Sequence, residues 1–162
     1  MSPKDVIKRQ VNMSHMITQG YFKDLSDSEL LIRPVPGMNH IAWQLGHLIV
    51  STHGMLSGIG QTLAPLPAGF AENYTKEMSH SDDPAKFASK ATYLEMSEAM
   101  QKASLAAVDT IDDKELDAPA PERMRDYCPT VGDVLAVSGS HWMMHAGQFV
   151  AVRRKLGKPA MF

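Results

Sequence analysis

The chain carries one cysteine, Cys128, so an intrachain disulfide is excluded. No apolar run approaches the ~18 residues that a membrane-spanning helix needs, and no membrane partner is expected. Neither sign of charge dominates. Sixteen Lys and Arg against eighteen Asp and Glu leave a formal charge of −2, which gives no broad attraction to nucleic acid. Strand-like alternation of any length is missing too. The opening residues, MSPKDVIKRQ, lack the apolar core of a signal peptide. These absences lead to the expectation of a soluble cytoplasmic protein. With 162 residues, one domain over 1–162 has enough chain to bury a proper core.

What is present is helical punctuation. Ser2-Pro3-Lys4-Asp5 reads as an N-cap, a proline at the first helical position and an acid close behind, opening a helix over about 3–24. Arg33-Pro34-Val35-Pro36-Gly37 cannot continue it. Asn39 is placed to cap a second helix, from His40 to about Gly58. A stretch rich in proline and glycine follows to Asp83. It is longer than the roughly 2–8 residues usual between helices, and suits a crossover that makes the third helix run parallel to the second. Asp82 or Asp83 and Pro84 open that third helix, which reaches about Thr110. After another irregular segment, Thr130 caps the last helix, and Arg153, Arg154 and Lys155 crowd its final turn as charge suited to the helix dipole. Gly157 and Pro159 end it. The fold class is therefore all-α, a four-helix bundle with long crossover connections.

Chemistry concentrates in the last helix. His141 and His145 are four residues apart, so their Cβ atoms lie about 5–6 Å from each other on one face. That face is the apolar stripe of Val134, Leu135, Ser138, Trp142, Phe149 and Val152, which turns both rings inward. Two imidazoles so placed can share a metal ion. The same spacing also suits two hydrogen-bonded core histidines, and a third ligand from another helix would decide between them. His47, on the flank of the second helix, is the best candidate for that third ligand. Three histidines would leave coordination open for water or substrate, as in catalytic sites. Nitrogen donors suit zinc, nickel, copper or iron alike. Glu77 and His80 match only half of a di-iron motif, and no glutamate lies between His141 and His145 as a metalloprotease helix requires. Gln44 and Gln148 are placed to hold a ring by hydrogen bonds. Trp43 and Trp142 suit core packing or a pocket wall, and Gly147 suits close helix contact.

Two segments, RPVPGMNHIAWQLGHL and TVGDVLAVSGSHWMMHAGQFVAVRRKLGKP, carry a resemblance. The proline-rich lead-in with His47-Leu48, and the H-x-x-x-H-x-G-Q run from His141 to Gln148, resemble the DinB-like superfamily of damage-inducible bundle proteins. The resemblance covers essentially the whole chain. It implies a four-helix bundle with long crossovers, a homodimer, and a divalent metal held by His47, His141 and His145. Some members are S-transferases that join a low-molecular-weight thiol to an electrophile. The resemblance thus implies a small-molecule substrate and a metal-dependent transferase. A hydrolase using metal-activated water, or a metal-binding interaction module without catalysis, are the alternatives.

Overall fold

The computed structural model describes residues 1–160. Among the described residues five α-helices make up the frame: α1 (Pro3–Phe22), α2 (Asp27–Leu30), α3 (Ile41–Gly58), α4 (Lys90–Thr110) and α5 (Val131–Lys155). Four are long, and α2 is a single turn inside the first connection. Among the described residues the only strand-like pairing is one antiparallel bridge, Pro119 with Thr130.

Local chemistry explains most helix ends. α1 starts at a reciprocal capping box, with Ser2 Oγ accepting from Asp5 N–H and the Asp5 carboxylate accepting from Ser2 N–H. Thr130 and Asp133 build the same device for α5. Two starts differ from expectation. The cap of α3 is His40 rather than Asn39: His40 Nδ1 accepts from Trp43 N–H at 3.0 Å. That leaves Nε2 as the protonated nitrogen, donating to the Ser81 carbonyl at 3.1 Å. A ring can cap here because it is fully buried and both nitrogens are satisfied. The third long helix begins at Lys90, not Pro84. Asp83 and Pro84 do start a turn, but it is a short 3₁₀ turn, Pro84–Lys86, and Phe87 is extended at φ −115°, ψ 147°. The Tyr74 and Tyr93 hydroxyls both accept from Ala88 N–H at 3.1 Å, and Ser89 then caps the helix proper.

The four long helices run up, down, down, up. Ile7 of α1 clusters with Leu56 near the end of α3, Val108 near the end of α4 and Leu135 near the start of α5. Tyr21 clusters with Ile41, Tyr93 and Val152 at the other end. So α3 and α4 are parallel, as the crossover requires, and α5 is antiparallel to α3. Each helix has two close neighbours: α1 packs on α4 and α5, and α3 packs on the same two.

The crossover covers α3, which is why that helix is apolar nearly all round. Its 3₁₀ turn Ala71–Tyr74 lays the Tyr74 ring on Gly46, so closely that a Cβ at Gly46 would stand 2.0 Å from the ring. Arg33 ties down the following segment through Asp82 at 2.7 Å and the carbonyls of Met38, Ser79 and Ser81. Gly139 plays the matching part between α5 and α1, where a Cβ would meet the Val11 backbone at 3.2 Å. Gly147 does not mediate the helix contact expected of it, since a Cβ there meets nothing within 4 Å. Arg153 also departs from expectation. It is buried, and instead of serving only as helix-end charge it clamps the Asp24 carboxylate at 2.5 Å and the Tyr21 carbonyl at 3.1 Å.

These contacts make opposite predictions for two glycines. Gly46→Ala should destabilise the protein by about 2 kcal/mol or more, because Tyr74 is driven off α3. Gly147→Ala should stabilise it by about 0.5–1 kcal/mol, because an exposed helical position gains only propensity. Urea unfolding of both variants beside the parent checks the pair.

Candidate metal centre

Antiparallel packing of α3 on α5 brings His47 level with His141 and His145. The ring centroids form a near-equilateral triangle, at 5.2 Å (His47 to His141), 5.4 Å (His47 to His145) and 4.9 Å (His141 to His145). One nitrogen from each ring lies within 4.8 Å of the other two. His141 Nε2 and His145 Nε2 are 3.2 Å apart. That is hydrogen-bonding distance, and it is also close to the about 3.4 Å that separates two nitrogens bonded to one tetrahedral zinc at about 2.0–2.1 Å.

The tautomer of His145 follows from its neighbours. Gln44 donates through its amide nitrogen to the Asn39 carbonyl at 2.8 Å, which turns Gln44 Oε1 toward His145. His145 Nδ1 must then be the N–H that donates to Oε1, at 2.8 Å, and Nε2 keeps its lone pair toward the other two rings. Of the two glutamines placed to hold a ring, Gln44 is the one that does so. Trp43 supports the third imidazole: its indole stacks on His47 at 4.9 Å and 8°, while its N–H donates to the Thr75 carbonyl at 3.0 Å. The crossover therefore holds the residue that holds His47. Trp142 is a core residue, with its N–H donating to Thr52 Oγ1 at 2.9 Å.

Burial and mutual proximity keep these rings neutral. His145 is the deepest, and desolvation, then His141 and His47, push its pKa down to about 3. Desolvation, with His47 beside it, takes His141 down to about 4, and desolvation lowers His47 too. A neutral imidazole is the protonation state that a metal ligand needs. The donor chemistry thus fits a divalent transition ion.

The cluster opens on a cleft of about 370 Å³, lined by His47, Ser51, Met55, Tyr127, Val137 and His141. Sequence reasoning missed this cleft. Ser51 and Met55 follow His47 by four and eight residues and Val137 precedes His141 by four, a row that was visible. Tyr127, from the irregular segment before α5, could not be placed beside it from sequence. A slightly larger cleft, about 420 Å³, lies between Asp27 and Phe87 with no imidazole in its lining.

The other histidines stand apart. His40 caps α3, His53 reaches the Ala64 carbonyl, His80 is exposed, and His15 is half-buried between α1 and α4. Cys128 is buried with its thiol pKa raised by desolvation, which makes it a packing residue rather than a thiolate donor.

The chain matches the DinB superfamily over residues 10–149. A protein from Enterococcus faecalis, whose crystal structure is described as that of a conserved protein, shares the fold. Its TM-score is 0.75 at 17% identity, over 98% of this chain and 99% of that one. No curated protein matches the chain.

The lowered histidine pKa values set a pH dependence for the metal-free protein. Unfolded, each imidazole takes a proton near 6.5, whereas folded His141 does so at about 4 and folded His145 at about 3. Between those values the unfolded chain binds protons that the folded chain does not. Stability is therefore complete above pH 6.5 and declines as pH falls toward 4. Thermal melts across this range should show the decline, and a His141→Gln, His145→Gln variant should lose much less over the same interval.

Proposed function

From the premise that this chain belongs to the DinB superfamily, we propose that it is a metal-dependent enzyme whose divalent ion is held by His47, His141 and His145. One observation carries the reading: three neutral imidazoles from two helices converge, and two of them, His47 and His141, line an open cleft. A purely structural ion would be closed in by a fourth protein ligand. Here the cleft leads a small molecule to the nitrogens instead. The donor set suits zinc, nickel, copper or iron without choosing among them.

The reaction proposed is S-transfer, the joining of a low-molecular-weight thiol to a carbon electrophile. A divalent ion at this place supplies Lewis acidity, which favours the ionised form of a thiol or of water. The lining of the cleft suits a nucleophile that the ion itself ionises. Ser51, Met55, Tyr127 and Val137 include no carboxylate to act as a general base. A thiol needs none once ionised, because thiolate is itself the nucleophile. The chain's own work is to hold three rings in one tautomer and orientation, through Gln44 and Trp43, and to wall the cleft.

Protein purified without a histidine tag should contain about one divalent transition ion per chain, measured by elemental analysis. His47→Ala, His141→Ala and His145→Ala should each lose it. Gln44→Leu should keep the site but weaken it about 10–100-fold, because His145 loses its orienting acceptor. Unchanged metal content in His141→Ala and His145→Ala would show the ligand assignment to be wrong. Turnover of an ester in place of thiol conjugation would make the protein a hydrolase, and a chelator effect on melting temperature alone would make the ion structural.

A further inference from the structure

The cleft beside the imidazoles has a composition that selects its ligand. Each of the two helices continues the row that carries its imidazole: Ser51 and Met55 below His47 on α3, Val137 below His141 on α5. Tyr127 closes the remaining wall from the segment before α5 and is 63% exposed. The other side of the rings is occupied, since Trp43 stacks on His47 and Gln44 is bonded to His145. A molecule whose donor atom reaches an ion on these nitrogens through this cleft lays its body along Ser51, Met55, Tyr127 and Val137. At about 370 Å³ the cleft holds one small-molecule body.

No Asp, Glu, Lys or Arg lines this cleft. Its polar groups beyond the imidazoles are two hydroxyls, on Ser51 and Tyr127. A carboxylate or ammonium on the ligand would lose water there and find no opposite charge, whereas a ring or alkyl group would gain apolar contact with Met55, Val137 and the Tyr127 face. Resting on the metal-dependent reading above, we infer that the thiol taken by this site has an uncharged apolar or aromatic body, and that thiols bearing carboxylates are disfavoured.

The test loads the full-length untagged chain with Co(II) and titrates it with benzyl mercaptan or with glutathione. The visible cobalt spectrum and the thiolate-to-cobalt charge-transfer band report binding, with no turnover needed. Benzyl mercaptan should bind at least about tenfold more tightly than glutathione. Tyr127→Ala should weaken benzyl mercaptan about fivefold at unchanged cobalt stoichiometry. This residue is largely exposed, so its truncation leaves the fold intact, which circular dichroism verifies. Val137→Lys should bring a cation to the cleft and narrow the preference about tenfold. Cobalt binding with equal affinities, with a preference for glutathione, with no thiol bound, or with no response to either substitution overturns the inference and leaves the metal assignment standing. Failure to bind cobalt overturns both.

Discussion

The hydrogen bond from His145 Nδ1 to Gln44 Oε1 ties the site to the fold. It crosses from α5 to α3, is buried at both ends, and depends on Gln44 being held in turn by the Asn39 carbonyl. Sliding one helix along the other by a turn would separate the pair and leave a buried amide and a buried imidazole unsatisfied, at a cost of about 1–3 kcal/mol for each group. The same bond decides which nitrogen of His145 carries the proton. Register and chemistry are thus set by one contact, and His47 meets the other two rings because of it.

Around this bond the crossover acts as a second constraint. A helix as apolar as α3 needs cover on several sides, and the segment between α3 and α4 provides it. Tyr74 packs on Gly46, and Trp43 donates to Thr75, one residue past that turn. Trp43 and Gly46 precede His47 by four residues and one, so the imidazole sits on a part of α3 that is tied to the crossover. His40 and Arg33 anchor the later part of the same segment through the carbonyls of Ser79 and Ser81. Rigid support of this kind suits a site whose rings must stay oriented without help from charge.

Below pH 6.5 three neutral imidazoles in one place carry a cost, since each buried ring must forgo its proton. Membership of the DinB superfamily and the convergence of the rings are compatible with a divalent ion held among them. The cleft then gives the arrangement a direction, because one side of the triangle is packed and the other is open.

Much of this was legible in the chain itself. The capping residues Ser2 and Thr130, the proline-rich breaks and the 3.6-residue stripes define four long helices, because those signals are local and each is satisfied within a few residues. The i, i+4 spacing put His141 and His145 on one inward face for the same reason, and the long crossover implied that α3 and α4 run parallel. What depends on neighbours distant in sequence was not legible. His40 could be a cap only because Ser81 arrives to accept from its other nitrogen, and the third long helix could start late only because Tyr74 reaches Ala88. Arg153 looked like helix-end charge until Asp24, 129 residues away, proved to be its partner. Gly147 resembled a contact glycine, but the close approach of α5 to α1 falls at Gly139 instead. The choice of Gln44 over Gln148, the stacking of Trp43 and the wall formed by Tyr127 belong to tertiary structure alone. A sequence states which face a side chain occupies, whereas only the packed helices state which face it meets.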